Sequence, residues 1–100
     1  MQSDYAEAFE RDMGCTETDW LRWLPDAIGH PSWQREDASA TVRIGESGTL
    51  AIQWRSAEPR VIASARIPRL LVSFQFTGMD DQQRRAFMKR FDLYMQRGGG

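Results

Sequence analysis

The chain has 100 residues, of which 41% are hydrophobic and 27% charged. This composition is ordinary for a globular protein and excludes an intrinsically disordered chain. A chain of this length builds one hydrophobic core and not two. We therefore predict one domain over residues 1–97, followed by a flexible glycine tail over residues 98–100.

The sequence favours a cytoplasmic protein. The first fifteen residues carry four acidic side chains and no apolar run, so no secretory signal is indicated. No apolar stretch approaches the ~18 residues that cross a bilayer, so we expect no membrane span. Cys15 is the only cysteine, which rules out an intrachain disulfide.

The net charge of −1 conceals an uneven distribution. Residues 1–50 contain ten acidic and four basic residues, a net charge of −6, whereas residues 51–100 contain four acidic and nine basic residues, a net charge of +5. Two interpretations stay open: the halves touch and compensate, or a basic surface faces an anionic partner.

Two helices are predicted in the first third of the chain. Ser3 is a candidate N-cap for a helix that ends near Gly14, because apolar residues recur at helical spacing between them. Thr16 with Asp19 predicts the start of a second helix that ends at Gly29. Pro25 lies inside this second helix and is expected to kink or restart it.

The middle of the chain is predicted to be a loop followed by antiparallel strands. Residues 29–38 have no period and are typical of a loop, whereas residues 40–44 and 50–55 alternate about a glycine turn and indicate a hairpin. Residues 56–59 predict another turn, and residues 61–67 a weaker strand. Pro68 interrupts the pattern before a strong strand at residues 70–76.

A last helix is predicted to begin at Asp80, with Gln83 as its capping-box partner, and to end at Gly98. Its apolar stripe contains Phe87, Phe91 and Met95 and is the nearest cover for the sheet. The predicted fold class is α+β: two N-terminal helices, a three- to four-stranded antiparallel sheet, and a C-terminal helix packed on the sheet.

Three segments carry a resemblance to a known family: FERDMGCTETDWLRWLPDAIG near the start, RIPRLLVSFQF, and FDLYMQRGGG at the end. Through them the chain resembles a small family of proteobacterial proteins of about one hundred residues and unassigned function. The resemblance covers most of the chain and implies no activity for any residue.

No catalytic set is evident. One histidine and one cysteine are too few for the common zinc sites, and His30 is interpreted as a solvated loop residue. Cys15 is either a packed thiol or a thiolate favoured by the following helix. Gly45 to Gly48 is interpreted as a hairpin turn and not as a nucleophile elbow. No phosphate-binding motif is present, so we predict no cofactor. Because histidine and cysteine are so few, we also predict no metal.

Tryptophan is the unusual feature of the composition, with four in one hundred residues. In one interpretation they anchor a small core. In the other, Trp33 with Trp20 or Trp23 flanks a groove for a peptide or an aromatic ligand, because tryptophan is enriched in binding hot spots.

The last helix carries a basic face formed by five residues: Arg84, Arg85, Lys89, Arg90 and Arg97. Contact with phosphates is one interpretation, but the pI of about 5.8 argues against nucleic acid and favours a solvated face. The terminal glycines also invite comparison with Gly-Gly carrier proteins, although a tail that follows a helix disagrees with their topology.

The hypothesis that follows is a non-catalytic binding or adaptor protein that acts through contacts with a protein partner or a second copy. Its tentative binding residues are Trp20, Trp23, Trp33, Arg84, Arg85 and Lys89. A small-ligand-binding protein with a Trp-lined pocket is the alternative. An enzyme would need His30, Cys15 or a pair of carboxylates to converge in a cleft.

Overall fold

A computed structural model of the chain describes residues 5–99. It contains five strands and two helices: β1 (Ala8–Met13), α1 (Glu17–Ile28), β2 (Ser32–Glu36), β3 (Ser39–Ile44), β4 (Gly48–Ile62), β5 (Ala65–Thr77) and α2 (Asp81–Gly99). All five strands form one antiparallel sheet in the order β1-β5-β4-β3-β2. The α+β class is confirmed, with five strands where three or four were predicted and one fewer helix than predicted.

The predicted first helix is wrong, because residues 8–13 form strand β1. Phe9 and Met13 lie four positions apart, a spacing that fits one face of a helix and equally one face of a strand. These residues form a strand and not a helix because β5 has a free edge with which they can pair. Phe9 pairs with Phe74, and Met13 pairs with Leu70. Ser3, the predicted cap, lies outside the described residues.

The predicted loop at residues 29–38 contains a further strand, β2. Trp33 pairs with Val42 of β3, and its ring is half-buried against the core. Only one side of this short edge strand is paired, so its sequence of polar residues around a single tryptophan carries no period to reveal it.

The hairpin at residues 40–55 is confirmed, but the turn predicted at residues 56–59 is wrong. β4 continues through Pro59 to Ile62, and β5 begins at Ala65, before Pro68. An irregularity between Ala57 and Arg60 gives β4 an extra residue relative to β5. This bulge accommodates both prolines without ending either strand.

Both helices begin at the predicted caps. The Thr16 side chain accepts a hydrogen bond from the backbone N–H of Asp19 at 3.1 Å. Asp80 and Gln83 form the reciprocal capping box, with both hydrogen bonds at 2.8 Å. α1 runs as one helix through Pro25, so the predicted restart does not occur. α2 continues to Gly99 and does not end at Gly98, and Gly100 lies outside the described residues.

The core lies between the two helices and one face of the sheet. Trp20 of α1 contacts Trp54 of β4 at 5.6 Å between ring centroids, and Phe91 of α2 at 6.0 Å. Phe91 meets Phe74 of β5 edge to face at 5.6 Å. The packing of the Phe87, Phe91 and Met95 stripe on the sheet is therefore confirmed. Of the helices in the described part of the chain, neither is long and apolar enough to span a membrane.

Candidate interaction surface

Two of the four tryptophans are core residues. Trp20 is fully buried, and its indole N–H has no hydrogen-bond partner. Trp54 is also buried, and its indole N–H donates to a carboxylate oxygen of Glu17 at 3.0 Å. Trp20 therefore has no exposed surface to offer a ligand in this structure, and it serves the core.

Trp23 and Trp33 are half-buried at separate places on the rim of the core. Trp23 lies on α1, whereas Trp33 lies on the edge strand β2. Trp33 borders a shallow depression of about 330 Å³, which it shares with Arg43 and Thr49. Trp20 and Trp23 do not line this depression, so the structure does not gather Trp33 with a helix tryptophan into one groove.

The basic residues of α2 are largely engaged within the protein. Arg84 has a side chain only 13% exposed, and it donates to the carbonyl oxygens of Tyr5 and Met79 at 2.8 Å each. Arg85 pairs with Asp81 at 2.7 Å. Lys89 is exposed. Arg84 thus holds the segment before β1 against the start of α2, which is a structural role.

Arg90, a fourth member of that face, is also engaged within the protein. The guanidinium of Arg90 lies 4.3 Å from the ring centroid of Tyr94, and it donates to the carbonyl oxygen of Asp26 at 3.2 Å. It therefore links α2 to α1. The side chain of Arg97 lies outside what the structure describes.

The reactive candidates do not converge. Cys15 is buried, and burial, followed by the nearby charge of Asp19, raises the pKa of its thiol. A raised pKa is the opposite of what an activated thiolate requires. His30 is exposed in the turn after α1. Within residues 5–99 no three His, Cys, Asp or Glu side chains are grouped to hold a metal ion.

Sequence reasoning missed the main surface feature, a projecting hairpin arm formed by residues 57–69 of β4 and β5. β3 accompanies β4 only as far as Gln53, and β1 accompanies β5 only from Leu70 onward. Beyond these points the two strands continue as a pair with no third strand beside them. The arm contributes to a longest dimension of 48 Å, against 34 and 21 Å in the other directions.

The arm concentrates the exposed apolar side chains. Among the described residues four large hydrophobic side chains are exposed, and three of them lie on the arm: Val61 (60%), Ile62 (54%) and Ile67 (38%). The fourth is Leu93 on α2. Single exposed apolar residues are common, but three within seven positions on a projecting element are typical of a contact surface.

The base of the arm is fixed by one carboxylate. Asp12 at the end of β1 accepts hydrogen bonds from Arg69 at 3.0 Å and from Arg60 at 3.3 Å. The hydrogen bond from Arg69 lowers the pKa of Asp12 and outweighs desolvation, which raises it; the positive charges of Arg69 and Arg60 lower it further. Asp12 therefore stays ionised and holds the arm to the sheet at neutral pH.

A proline lies on each strand of the arm. Pro59 on β4 and Pro68 on β5 have no backbone N–H, so each free edge lacks a donor that an added strand would need. Strand addition to the arm is therefore disfavoured. A partner would contact the arm through its side chains, which alternate between its two faces.

The face of the sheet opposite the helices is open. Its side chains are mostly small or polar, and neither helix covers it in the part of the chain that the structure describes. Two adjoining depressions of about 230 and 550 Å³ lie on it, sharing Glu10, Gln53 and Ser73 along their lining. Alternation along β5 puts Ile67 of the arm on this same open face as Leu71 and Ser73.

A sequence signal for the arm existed. Residues 60–67 combine three β-branched apolar residues with two arginines about a short Ala-Ser-Ala segment, which is compatible with a hairpin turn at residues 63 and 64. Residues 56–59, just before this segment, are typical of a turn and predict it there instead. No property of a single sequence distinguishes a proline that ends a strand from one that lies in a bulge.

Comparison with models of known protein families found no match, and comparison with curated proteins also found none. The resemblance to a proteobacterial family therefore stays a prediction.

Proposed function

We propose that this protein is a non-catalytic binding module that works through protein–protein contacts made by the β4–β5 arm. The observation that carries the proposal is the clustering of Val61, Ile62 and Ile67 on an element that extends beyond the neighbouring strands β1 and β3. These side chains contribute little to the core, which suggests a use outside the folded domain.

The arm is also presented in a defined orientation. Its base is held by the pairs of Asp12 with Arg60 and Arg69, so binding would not have to order a fully mobile loop. Its charge supports a partner with an acidic rim, since the arm carries three arginines and one glutamate and, counted together with Asp12 at its base, has a net charge of +1.

A capture experiment with a matched control tests this proposal. The wild-type protein, the triple variant Val61→Ser/Ile62→Ser/Ile67→Ser and the control Leu93→Ser are used as baits in lysate of the native cell. We expect the wild type and the control to retain the same stoichiometric partner, and the triple variant to lose it. Circular dichroism verifies that all three proteins are folded. Equal recovery with the triple variant would contradict the proposal.

A cytoplasmic location belongs to the same proposal. A buried free thiol such as Cys15 suits a reducing compartment. Fractionation of the native cell tests it.

A further inference from the structure

The arm and the open face of the sheet are parts of one surface. Every second residue of β5 lies on the open face, from the arm almost to the far end of the strand: Ile67, Arg69, Leu71, Ser73 and Gln75. From this continuity we infer that the occupant of the arm is a second copy of this chain, bound face to face about a two-fold axis. The inference rests on the proposed function of the arm and names its partner.

Symmetry makes the surface self-complementary. Consider a two-fold axis that lies between two open faces, perpendicular to the strands and over Leu71. Residue 67 of one copy then lies over residue 75 of the other, because both are four positions from residue 71. Gln75 has Ala8 on one side and Ala51 on the other, and all three line the depression of about 550 Å³. Ile67 thus lies over this depression, between Ala8 and Ala51 of the other copy, twice in the dimer.

Charge complementarity supports the same arrangement. The arm together with Asp12, which pairs with it, has a net charge of +1, so the rest of a chain whose net charge is −1 has a net charge of −2. The symmetry that places Ile67 over Gln75 places Arg69 over Ser73, which pairs with Glu10 of β1. Glu10 is exposed and borders both depressions. The basic arm of each copy therefore faces an acidic side chain of the other.

The available area indicates a reversible dimer. Five strands span about 24 Å across the sheet, and six residues of each strand span about 20 Å, which gives roughly 480 Å² before the arm is added. Stable dimers bury about 800 Å² on each partner. The arm supplies much of the difference, and the polar character of the face favours dissociation at low concentration.

Sedimentation equilibrium of the full chain at concentrations from about 1 to 500 μM, a range chosen to bracket a weak interface, tests the inference with two arm variants. Ile67→Glu changes the open side of the arm, whereas Val61→Glu changes the opposite side at a more exposed residue. We expect Ile67→Glu to raise the dimer dissociation constant at least about tenfold and Val61→Glu to raise it less than about threefold. Glu10→Gln is expected to reduce the salt dependence of dimerisation.

Two results would overturn the inference: a wild-type chain that is monomeric at the highest concentration, or equal weakening by both arm variants. Equal weakening would mean that the tip of the arm associates through both sides. If the wild type is monomeric while the triple serine variant still loses a captured partner, the inference fails and the proposed function stands. If the capture experiment also shows no loss, both fail.

Discussion

The two buried tryptophans differ in one hydrogen bond, and substituting each by phenylalanine isolates its contribution. Trp20 and Trp54 are 0% and 3% exposed and lie in contact with each other. Phenylalanine is smaller by roughly 40 Å³, so at ~24 cal/mol per Å³ the cavity costs about 1 kcal/mol, and lost transfer energy adds about 0.5 kcal/mol.

The hydrogen-bonding terms then act in opposite directions. Trp20→Phe removes a buried N–H that has no partner, which relieves about 1–3 kcal/mol, so the net effect lies between a loss of about 0.5 kcal/mol and a gain of about 1.5 kcal/mol in stability. Trp54→Phe removes the donor to Glu17, whose exposed carboxylate returns to water, so the total cost is about 2–3 kcal/mol.

Urea denaturation followed by far-UV circular dichroism measures both values, because this signal does not depend on the tryptophans that are removed. The free energy of unfolding should fall clearly further in Trp54→Phe than in Trp20→Phe. An equal or larger fall in Trp20→Phe would refute the reasoning, since it would mean that the Trp20 N–H is satisfied in solution.

Three further predictions concern the core, the free thiol and the base of the arm. Phe91→Ala should lower the free energy of unfolding by about 3–5 kcal/mol, whereas the exposed control Leu93→Ala should change it by less than about 0.5 kcal/mol; similar values would contradict the packing. The pKa of Cys15 is raised above its ordinary value of 9.0, so its contribution to stability is full below that value and is lost as the pH rises through the raised pKa. The alkaline fall in stability should therefore be smaller in Cys15→Ala, and an unchanged profile would argue against a buried thiol. The pKa of Asp12 is lowered from 3.8, so its pairing is present above that value and is lost as the pH falls through the lowered pKa. At neutral pH Asp12→Asn should speed amide hydrogen exchange in residues 57–69, and no change there would show that the carboxylate does not hold the arm.

The sequence was most informative where structure is local. The capping box of Asp80 and Gln83 and the cap at Thr16 depend on residues three positions apart, and both are present. The hairpin of β3 and β4 likewise needs only adjacent alternating segments and a glycine turn.

Strand β1 is harder to predict from the sequence, because one of its charged residues points toward the core. Arg11 lies between Phe9 and Met13 in a half-buried position, where its guanidinium contacts the ring of Phe74 at 5.6 Å and pairs with Asp92. Burial lowers the pKa of Arg11, but the hydrogen bond and the charge of Asp92 outweigh it, so this arginine stays charged. A pattern of apolar and polar letters cannot anticipate a buried position that is satisfied from a distant helix.

The candidate interaction surface is the hardest feature to predict from the sequence. Tryptophans suggested binding, but Trp20 and Trp54 complete the core, and Arg84 bonds to the backbone. The arm depends on where β1 and β3 stop, which sets how far β4 and β5 run without neighbours. That limit is a property of the assembled sheet and not of residues 57–69.

The pairing of β1 with β5 has a consequence for the order of folding. Ala8 lies opposite Gln75, so a strand near the start of the chain finds its neighbour only after most of the polypeptide has been made. The meander from β2 to β5 can form first, leaving one side of β5 vacant until β1 closes it. Such non-local contacts slow folding towards the millisecond-to-second range, and during that interval the vacant side of β5 is the segment most exposed to misassembly.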